Sequence, residues 1–182
     1  HVEEPKRQEF YRIMLTDSER LLGTIEQVLR SGRLAVSRSK PVMLPIDLNA
    51  LIDECLGRAK TLHGVPPEAL KFSSGGSIRV MGDAEEVRTA ISNLIDNAIK
   101  YSGGDVDVTV ETSKLDGDFA EIRVSDRGPG IPRQELKPIF KRFYRVPGPI
   151  ASRVKGTGLG LYIVRSVAKS HGGRVWAESQ GP

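Results

Sequence analysis

The sequence predicts an α+β fold, a mixed sheet covered on one face by helices with a helical arm in front of it, and three observations carry that expectation. Amphipathic helical spacing runs through residues 84–101 and 159–171; alternation of Val106, Val108, Val110 and of Ala120, Ile122, Val124 brackets Asp116-Gly117; and a separate helical stripe occupies residues 5–34. Helices and hairpin strands that each carry one apolar face bury those faces as two packed layers. With 38% hydrophobic and 27% charged positions in 182 residues, the chain can fill one ordinary core and one appended element.

In the arm, Tyr11, Met14, Leu21, Ile25 and Val28 follow a spacing of three and four with a polar break at Ser18, and Leu15, Leu22 and Leu29 widen the stripe. No later segment offers an antiparallel mate of that length, so the stripe calls for a helix outside this chain or a second copy of it; packing on its own domain is the alternative. Residues 35–45, polar and containing Lys40-Pro41 and Pro45, read as a linker with a short strand at 42–44. The compact domain then begins, with a helix over 48–62 closed by His63-Gly64, extended segments at 71–73 and 77–81, and the helix 84–101. Val87, Ala90, Ile91, Leu94 and Ala98 form the core stripe of that second helix. The Val/Ile hairpin follows, with Asp116-Gly117 as its turn. Pro132 opens a short helix, 145–158 is loop, 159–171 is a helix ended by Gly172-Gly173, and 174–178 is a strand.

The single cysteine, Cys55, excludes an internal disulfide and lies at helical spacing with Leu51, Ile52, Leu56 and Ala59, which marks it as a packing residue. No apolar run approaches the roughly 18 to 20 residues that cross a bilayer, and the first residues lack a signal-peptide core. The reading is a soluble, cytoplasmic polypeptide. A net charge of +4 admits nucleic acid as a partner, but the basic residues gather between Arg133 and Lys155 beside glycines, where a nucleotide's phosphates account for them equally well. At 5% aromatic content and with no groove-reading motif, nucleic-acid binding is disfavoured.

Three segments carry chemistry. Asn93 and Asn97 lie four residues apart on one helical face, with Lys100 and Tyr101 a turn further on. A mid-helix asparagine pair is either solvated or there for a ligand. In Val124-Ser125-Asp126-Arg127-Gly128-Pro129-Gly130-Ile131-Pro132 a carboxylate ends a strand and two glycines follow; Asp126 can accept from an exocyclic amine while the glycines admit a planar ring, or the segment is simply a tight turn. Lys155-Gly156-Thr157-Gly158-Leu159-Gly160-Leu161 runs straight into a helix, and unpaired amides at a helix start favour phosphate oxygens.

Together these segments resemble the N box and the two glycine boxes of bacterial sensor histidine kinases, in that family's order, and Ile139-Phe140-Lys141-Arg142-Phe143-Tyr144-Arg145 resembles its F box. The resemblance covers most of residues 83–161 and implies the Bergerat-type ATP-binding fold. It implies three parts: residues 1–36 as the second helix of the dimerisation and phosphotransfer region, 37–45 as linker, and 46–182 as the ATP-binding catalytic domain with its last strand cut short. The family's phosphoacceptor motif, His-Glu-x-x-x-Pro-like, is not found, and His1-Val2-Glu3-Glu4-Pro5 does not match it. His63 and His171, each before a glycine at a helix end, read as capping residues.

The resemblance further implies ATP and Mg²⁺ as ligands. Asn97 would hold the metal and Asn93 would help position the phosphates. Lys100 would neutralise their charge, Tyr101 and Ile131 would border the nucleotide, and Asp126 would bond the adenine amine beside Gly128 and Gly130. Arg142 and Arg145 would reach the triphosphate, under a lid over 147–157 that ends at Gly156, Thr157, Gly158, Leu159 and Gly160. The implied activity is transfer of the γ-phosphoryl group to a histidine on the dimerisation domain of the same or a partner subunit. A response regulator's aspartate would receive it next. The implied parent is homodimeric and anchored to the membrane only through parts outside this chain. Related gyrase, Hsp90 and mismatch-repair ATPases carry at the Asn93 position a glutamate that activates water; an amide cannot act as a general base at neutral pH, so Asn93 favours transfer over hydrolysis.

Overall fold

In the computed structural model, which describes residues 6–12, 14, 42–116, 118–148, 154 and 156–181, both long helices begin where an aspartate can cap them. Asp47 Oδ1 accepts from the Ala50 N–H at 3.1 Å to start α1 (Leu48–His63), and Asp83 Oδ1 accepts from Glu85 and Glu86 N–H at 3.1 and 3.2 Å to start α2 (Ala84–Tyr101). Gly64 ends α1 in the left-handed conformation at φ 60°, which a side chain would strain. The third helix, α3 (Gly160–Ser170), has Leu159 at its N-cap and no side-chain cap.

The chain divides into two units, His1–Ser37 and Arg38–Pro182. In the first, residues 6–12 and 14 are helical and Phe10, Tyr11 and Met14 are exposed. The remainder of the predicted arm stripe, from Leu15 onward, and the linker through Pro41 lie outside the described residues.

Among the described residues the second unit holds five strands, β1 (Leu44–Asp47), β2 (Leu70–Ser74), β3 (Arg79–Gly82), β4 (Val108–Lys114) and β5 (Ala120–Asp126). β1 and β3 form an antiparallel pair with Ile46 opposite Val80, while β2, β4 and β5 form a mixed sheet, β2 parallel to β4 and β4 antiparallel to β5. Phe72, Val110 and Val124 share one rung of it. The inward positions Val108 and Val110 are buried and meet Leu48, Ile52, Ile91 and Ile95 from the helices in one core, while Thr112, also buried, donates from Oγ1 to Asn49 Oδ1 at 3.4 Å. Cys55 is buried in that core, and burial pushes its thiol pKa up, as a packing role requires.

Several predicted elements shift. The strand expected at 42–44 forms at Leu44–Asp47, and β4 starts at Val108, leaving Val106 before it. The hairpin closes through Leu115 N–H to the Phe119 carbonyl, 3.0 Å, around a tip whose Gly117 lies outside the described residues. The short helix after Pro132 is two 3₁₀ turns, Arg133–Glu135 and Pro138–Phe140, because Pro138 has no N–H with which to continue the first. On α2 the buried stripe is Ile91, Ile95, Ala98 and Ile99; Val87, Ala90 and Leu94 are half-buried, with Val87 packed against the edge of that core.

The strand predicted at 174–178 is not formed. Those residues alternate between half-buried and exposed, as strand residues do, yet no ladder bond involves them among the described residues. A strand exists through a neighbour's N–H and C=O groups, and alternation alone supplies none. The bond that holds this end is from Ile131 N–H to a side chain, Ser179 Oγ, at 2.9 Å.

His63 also departs from its predicted role. Its Nε2 meets Asp96 Oδ1 at 2.9 Å and ties the end of α1 to α2, while Gly64 closes the helix. Because Ile95 is 0% exposed between sheet and helices, Ile95→Ala is expected to cost about 2–5 kcal/mol, read as a lowered urea midpoint at unchanged slope.

Candidate functional site

Helix α2 is the axis on which the motifs meet. Asn93 donates from Nδ2 to the Thr89 carbonyl one turn back, 2.8 Å, and this turns its Oδ1 toward α3. A Cβ placed on Gly160 would lie 2.9 Å from Asn93 Oδ1 and 3.4 Å from Asn97 Nδ2. The start of α3 thus sits against the asparagine pair, and position 160 has no room for a side chain while Asn93 keeps this rotamer. The first bond within α3 runs from Ile163 N–H to the Leu159 carbonyl, 2.9 Å, so the amides of Gly160, Leu161 and Tyr162 precede it. Leu159 is fully buried, and its N–H donates to Thr157 Oγ1 at 3.3 Å. An uncapped helix start beside two amide side chains can take an anion.

One turn beyond Asn97, about 6 Å along the axis, Tyr101 brings α2 to the turn after β5. A Cβ on Gly128 would fall 2.7 Å from both the Tyr101 carbonyl oxygen and Asp126 Oδ1, so the two segments meet through backbone. Asp126 Oδ1 accepts from Gly128 N–H at 2.8 Å; its Oδ2 has no hydrogen-bond partner among the described residues. Gly130 holds φ 77°, with the Gly181 carbonyl oxygen 2.3 Å from where a Cβ would stand. Ile131 is fixed by Ser179, Tyr101 is half-buried, and Lys100 is exposed.

The third group packs on the second glycine segment. Gly158 has φ 72°, and a Cβ there would meet the Phe143 carbonyl carbon at 2.7 Å and the Tyr144 carbonyl oxygen at 2.8 Å. Phe143 itself holds φ 61°, a left-handed conformation that costs a bulky residue free energy. The Arg142 guanidinium stacks on the Phe143 ring, 4.9 Å from its centroid, and Arg145 donates from Nη2 to the Val154 carbonyl. Tyr144 donates to Glu135, which holds the phenol above its ordinary pKa. Gly156 stands in open space, and Lys155 lies outside the described residues.

The sequence-predicted residues therefore form three adjoining groups: Asn93 and Asn97 with Thr157, Leu159 and Gly160; Tyr101 with Asp126, Gly128, Gly130 and Ile131; and Arg142 and Arg145 on the turn against Gly158. Sequence reasoning missed Ser179, which no local pattern marks. It also missed Asp107, which pairs with Lys71 Nζ at 2.8 Å and Arg127 Nε at 3.0 Å beside a shallow depression of about 110 Å³ lined also by Thr109, Ser125 and Asp126. That depression is not lined by Asn93, Asn97 or Gly160. The hydrogen bond from Lys71, helped by the Lys71 and Arg127 charges, holds the Asp107 carboxyl below its usual range.

Known proteins are similar to this chain in sequence and in fold. The family model described as histidine kinase-, DNA gyrase B-, and HSP90-like ATPase matches residues 82–182. The sensor-like histidine kinase SenX3 of Mycolicibacterium smegmatis is 34% identical over 171 residues, which are 93% of this chain and 44% of that protein. The signal transduction histidine-protein kinase/phosphatase MprB of Mycobacterium avium is 39% identical over 140 residues, 76% of this chain and 26% of that protein. The chain therefore spans less than half the length of these curated relatives. Among solved structures, a mycobacterial sensor histidine kinase MprB superposes with a TM-score of 0.63 at 34% identity, covering 74% of this chain and 84% of that one. The ATP binding domain of PrrB from Mycobacterium tuberculosis does so with a TM-score of 0.58 at 27% identity, covering 75% and 87%.

Two outcomes follow from the geometry. Gly160→Ala meets the end of a side chain rather than backbone, so the variant is expected to keep its unfolding free energy, from urea denaturation, within about 1 kcal/mol of the parent while the Asn93 side-chain amide resonances shift. For Asp107, whose folded pKa is depressed, the ion pairs stabilise above its unfolded value and are lost as pH falls through the lower folded one. Asp107→Asn should therefore flatten the dependence of stability on pH below about 4, measured by denaturation at a series of pH values.

Proposed function

Because the chain belongs to the family of histidine kinase-, DNA gyrase B- and HSP90-like ATPases, we propose that it is the ATP-binding catalytic part of a sensor histidine kinase. Residues 1–36 then belong to the dimerisation and phosphotransfer region, 37–45 are linker, and 46–182 are the catalytic domain. The observation that supports this best is the meeting of Asn93 and Asn97 with Gly160 at the uncapped start of α3. Backbone amides and two side-chain amides converge there without a carboxylate of their own to compete with phosphate.

In this reading Asn93, whose Nδ2 has a second N–H beside the one given to Thr89, positions the phosphates near the first amides of α3, and Lys100 supplies a positive charge about a turn beyond Asn97. Gly156, Thr157 and Gly158 carry the chain past the phosphates, and buried Leu159 anchors the loop beside them. Asp126 uses Oδ1 to hold its own turn and has Oδ2 for an exocyclic amine, which selects adenine over guanine. Gly128 and Gly130 bring backbone close enough for a planar ring, bordered by Tyr101 and Ile131. Arg142 and Arg145, on either side of Phe143, would reach the triphosphate beneath a lid over 147–157, of which residues 149–153 and 155 lie outside the described residues.

The Asn97 amide oxygen is a hard donor of the kind Mg²⁺ prefers, and it would serve beside phosphate oxygens and water. When bound, the cation supplies charge neutralisation for phosphoryl transfer. Asn93 can hold a phosphate or a water but cannot take a proton, which favours transfer to an external nucleophile. That nucleophile is a histidine outside these 182 residues, on the same or a partner subunit of a homodimer, and a response-regulator aspartate is the next acceptor. No helix among the described residues is long and apolar enough to cross a membrane. Attachment to one would come from other parts of a membrane-anchored sensor, with this portion on the cytoplasmic side.

Calorimetric titration tests the reading. ATP is expected to bind with preference over GTP and more tightly with Mg²⁺; Asn97→Ala should remove the Mg²⁺ gain, and Asp126→Asn should erase the adenine preference. A folded chain that binds neither nucleotide would overturn the proposal.

A further inference from the structure

His171 ends α3, far from the glycine segment, and its ring is engaged through both nitrogens, with Ser170 Oγ also 3.1 Å from Nδ1. Nδ1 lies 2.9 Å from the Val167 carbonyl, and Nε2 lies 3.0 Å from the Asp83 amide nitrogen. An amide can only donate, so Nε2 is the unprotonated nitrogen and Nδ1–H donates to Val167. One imidazole therefore caps the C-terminus of α3 and accepts from the N-cap residue of α2. The ring fits because position 82 is glycine: a Cβ there would stand 3.1 Å from His171 Cδ2.

The bond displaces one that the sequence would otherwise make locally. Asp83-Ala84-Glu85-Glu86 has capping-box spacing, in which Glu86 would reach back to the Asp83 N–H. Here Asp83 N–H goes to His171, and Glu86 Oε2 accepts from Ser170 Oγ at 2.9 Å and lies 3.7 Å from His171 Nδ1. Both donor and acceptor of the box are diverted from α2 to α3.

The lengths agree with a function for that diversion. From Asp83 to Asn93 is ten residues, roughly 15 Å of helix, and from Gly160 to His171 is eleven, roughly 16 Å. The two antiparallel helices are thus pinned at both ends of one span: Gly160 against Asn93 and His171 against Asp83.

We infer that His171 is a positioning residue for the proposed nucleotide site, pinning the axial register of α3 against α2 so that the first amides of α3 face Asn93 and Asn97. The inference rests on the ATP-binding reading for its consequence, but the register pin itself is a property of the ligand-free chain. Slippage by one residue moves those amides by about 1.5 Å, and displacements of that order weaken positioned chemistry steeply.

Two variants separate the pin from the cap. His171→Asn keeps a short amide for the Val167 carbonyl but cannot reach Asp83; His171→Gln carries an acceptor near the place of Nε2. In the ligand-free chain, amide hydrogen exchange at Asp83 and at Ile163, the first bonded amide of α3, is expected to accelerate in His171→Asn and to return toward the parent rate in His171→Gln. Exchange at Ile52 in α1 should stay unchanged. ATP affinity by calorimetry should fall on the order of tenfold in His171→Asn and recover in His171→Gln, while Ile52→Val, a core change distant from the pin, leaves it intact. Unchanged Ile163 exchange in His171→Asn, or an equal loss of affinity in Ile52→Val, would overturn the inference. If the parent chain binds no ATP, the functional reading fails, and the exchange comparison still decides whether His171 sets the register.

Discussion

The rotation of α2 about its own axis governs the structure, because this one helix must bury an apolar stripe and present a polar one on nearly opposite sides. Ile91, Ile95, Ala98 and Ile99 face the core, and at 100° per residue Asn93 and Asn97 point away from that stripe toward α3. A small rotation would expose isoleucine and drive the asparagines into apolar surroundings, each a cost of a few kcal/mol. The core thus fixes the site: Ile95 holds the helix at the angle at which Asn93 meets Gly160. Arg88 and Asp96 reinforce that angle from α1, through Glu54 at 3.2 Å and His63 at 2.9 Å.

What could be read from the sequence is what depends on near neighbours along the chain. The spacing of Asn93 to Asn97 places them on one face whatever packs on it, and the aspartate starts and glycine stops of the helices are satisfied within a few residues. The resemblance of the four motifs then linked segments that spacing alone could not connect. What could not be read depends on a distant partner. The segment at 174–178 has a strand's alternation, but its ladder must come from elsewhere in the fold. His171 lies at a helix end as predicted and does cap, yet its second bond is to Asp83, 88 residues away, and Asp83 has a local pattern that points to Glu86 instead. The arm follows the same rule, since a stripe without its partner names a need and not the group that meets it.

Strain in the chain gathers where the glycine segment and the aromatic turn touch. Phe143 is the one non-glycine residue at positive φ among the described residues, and its backbone lies where a side chain on Gly158, itself at positive φ, would have to be. Two left-handed residues in contact leave little freedom for either segment to relax alone. A movement at Gly158 must therefore involve the Phe143 turn, and with it Arg142, whose guanidinium rests on the Phe143 ring. In the proposed reading this couples the reach of an arginine toward phosphate to the state of the loop that covers it.

In the proposed reading, the contrast among the starts of α1, α2 and α3 divides stability from function. α1 and α2 each have an aspartate whose carboxylate bonds first-turn amides, an arrangement worth about 0.5–2 kcal/mol over alanine. α3 has Leu159 in that place, and its first residue is Gly160, which in a helix costs about 1 kcal/mol relative to alanine. A capping carboxylate at 159 would satisfy the amides that a phosphate needs and would repel the phosphate as well. Leucine recovers stability by another route, since it is fully buried, and burying such a side chain contributes about 1.5–3 kcal/mol. The anchor that aspartate provides through hydrogen bonds in the first two helices is provided in the third by apolar burial, and this leaves the amides of α3 open toward Asn93 and Asn97.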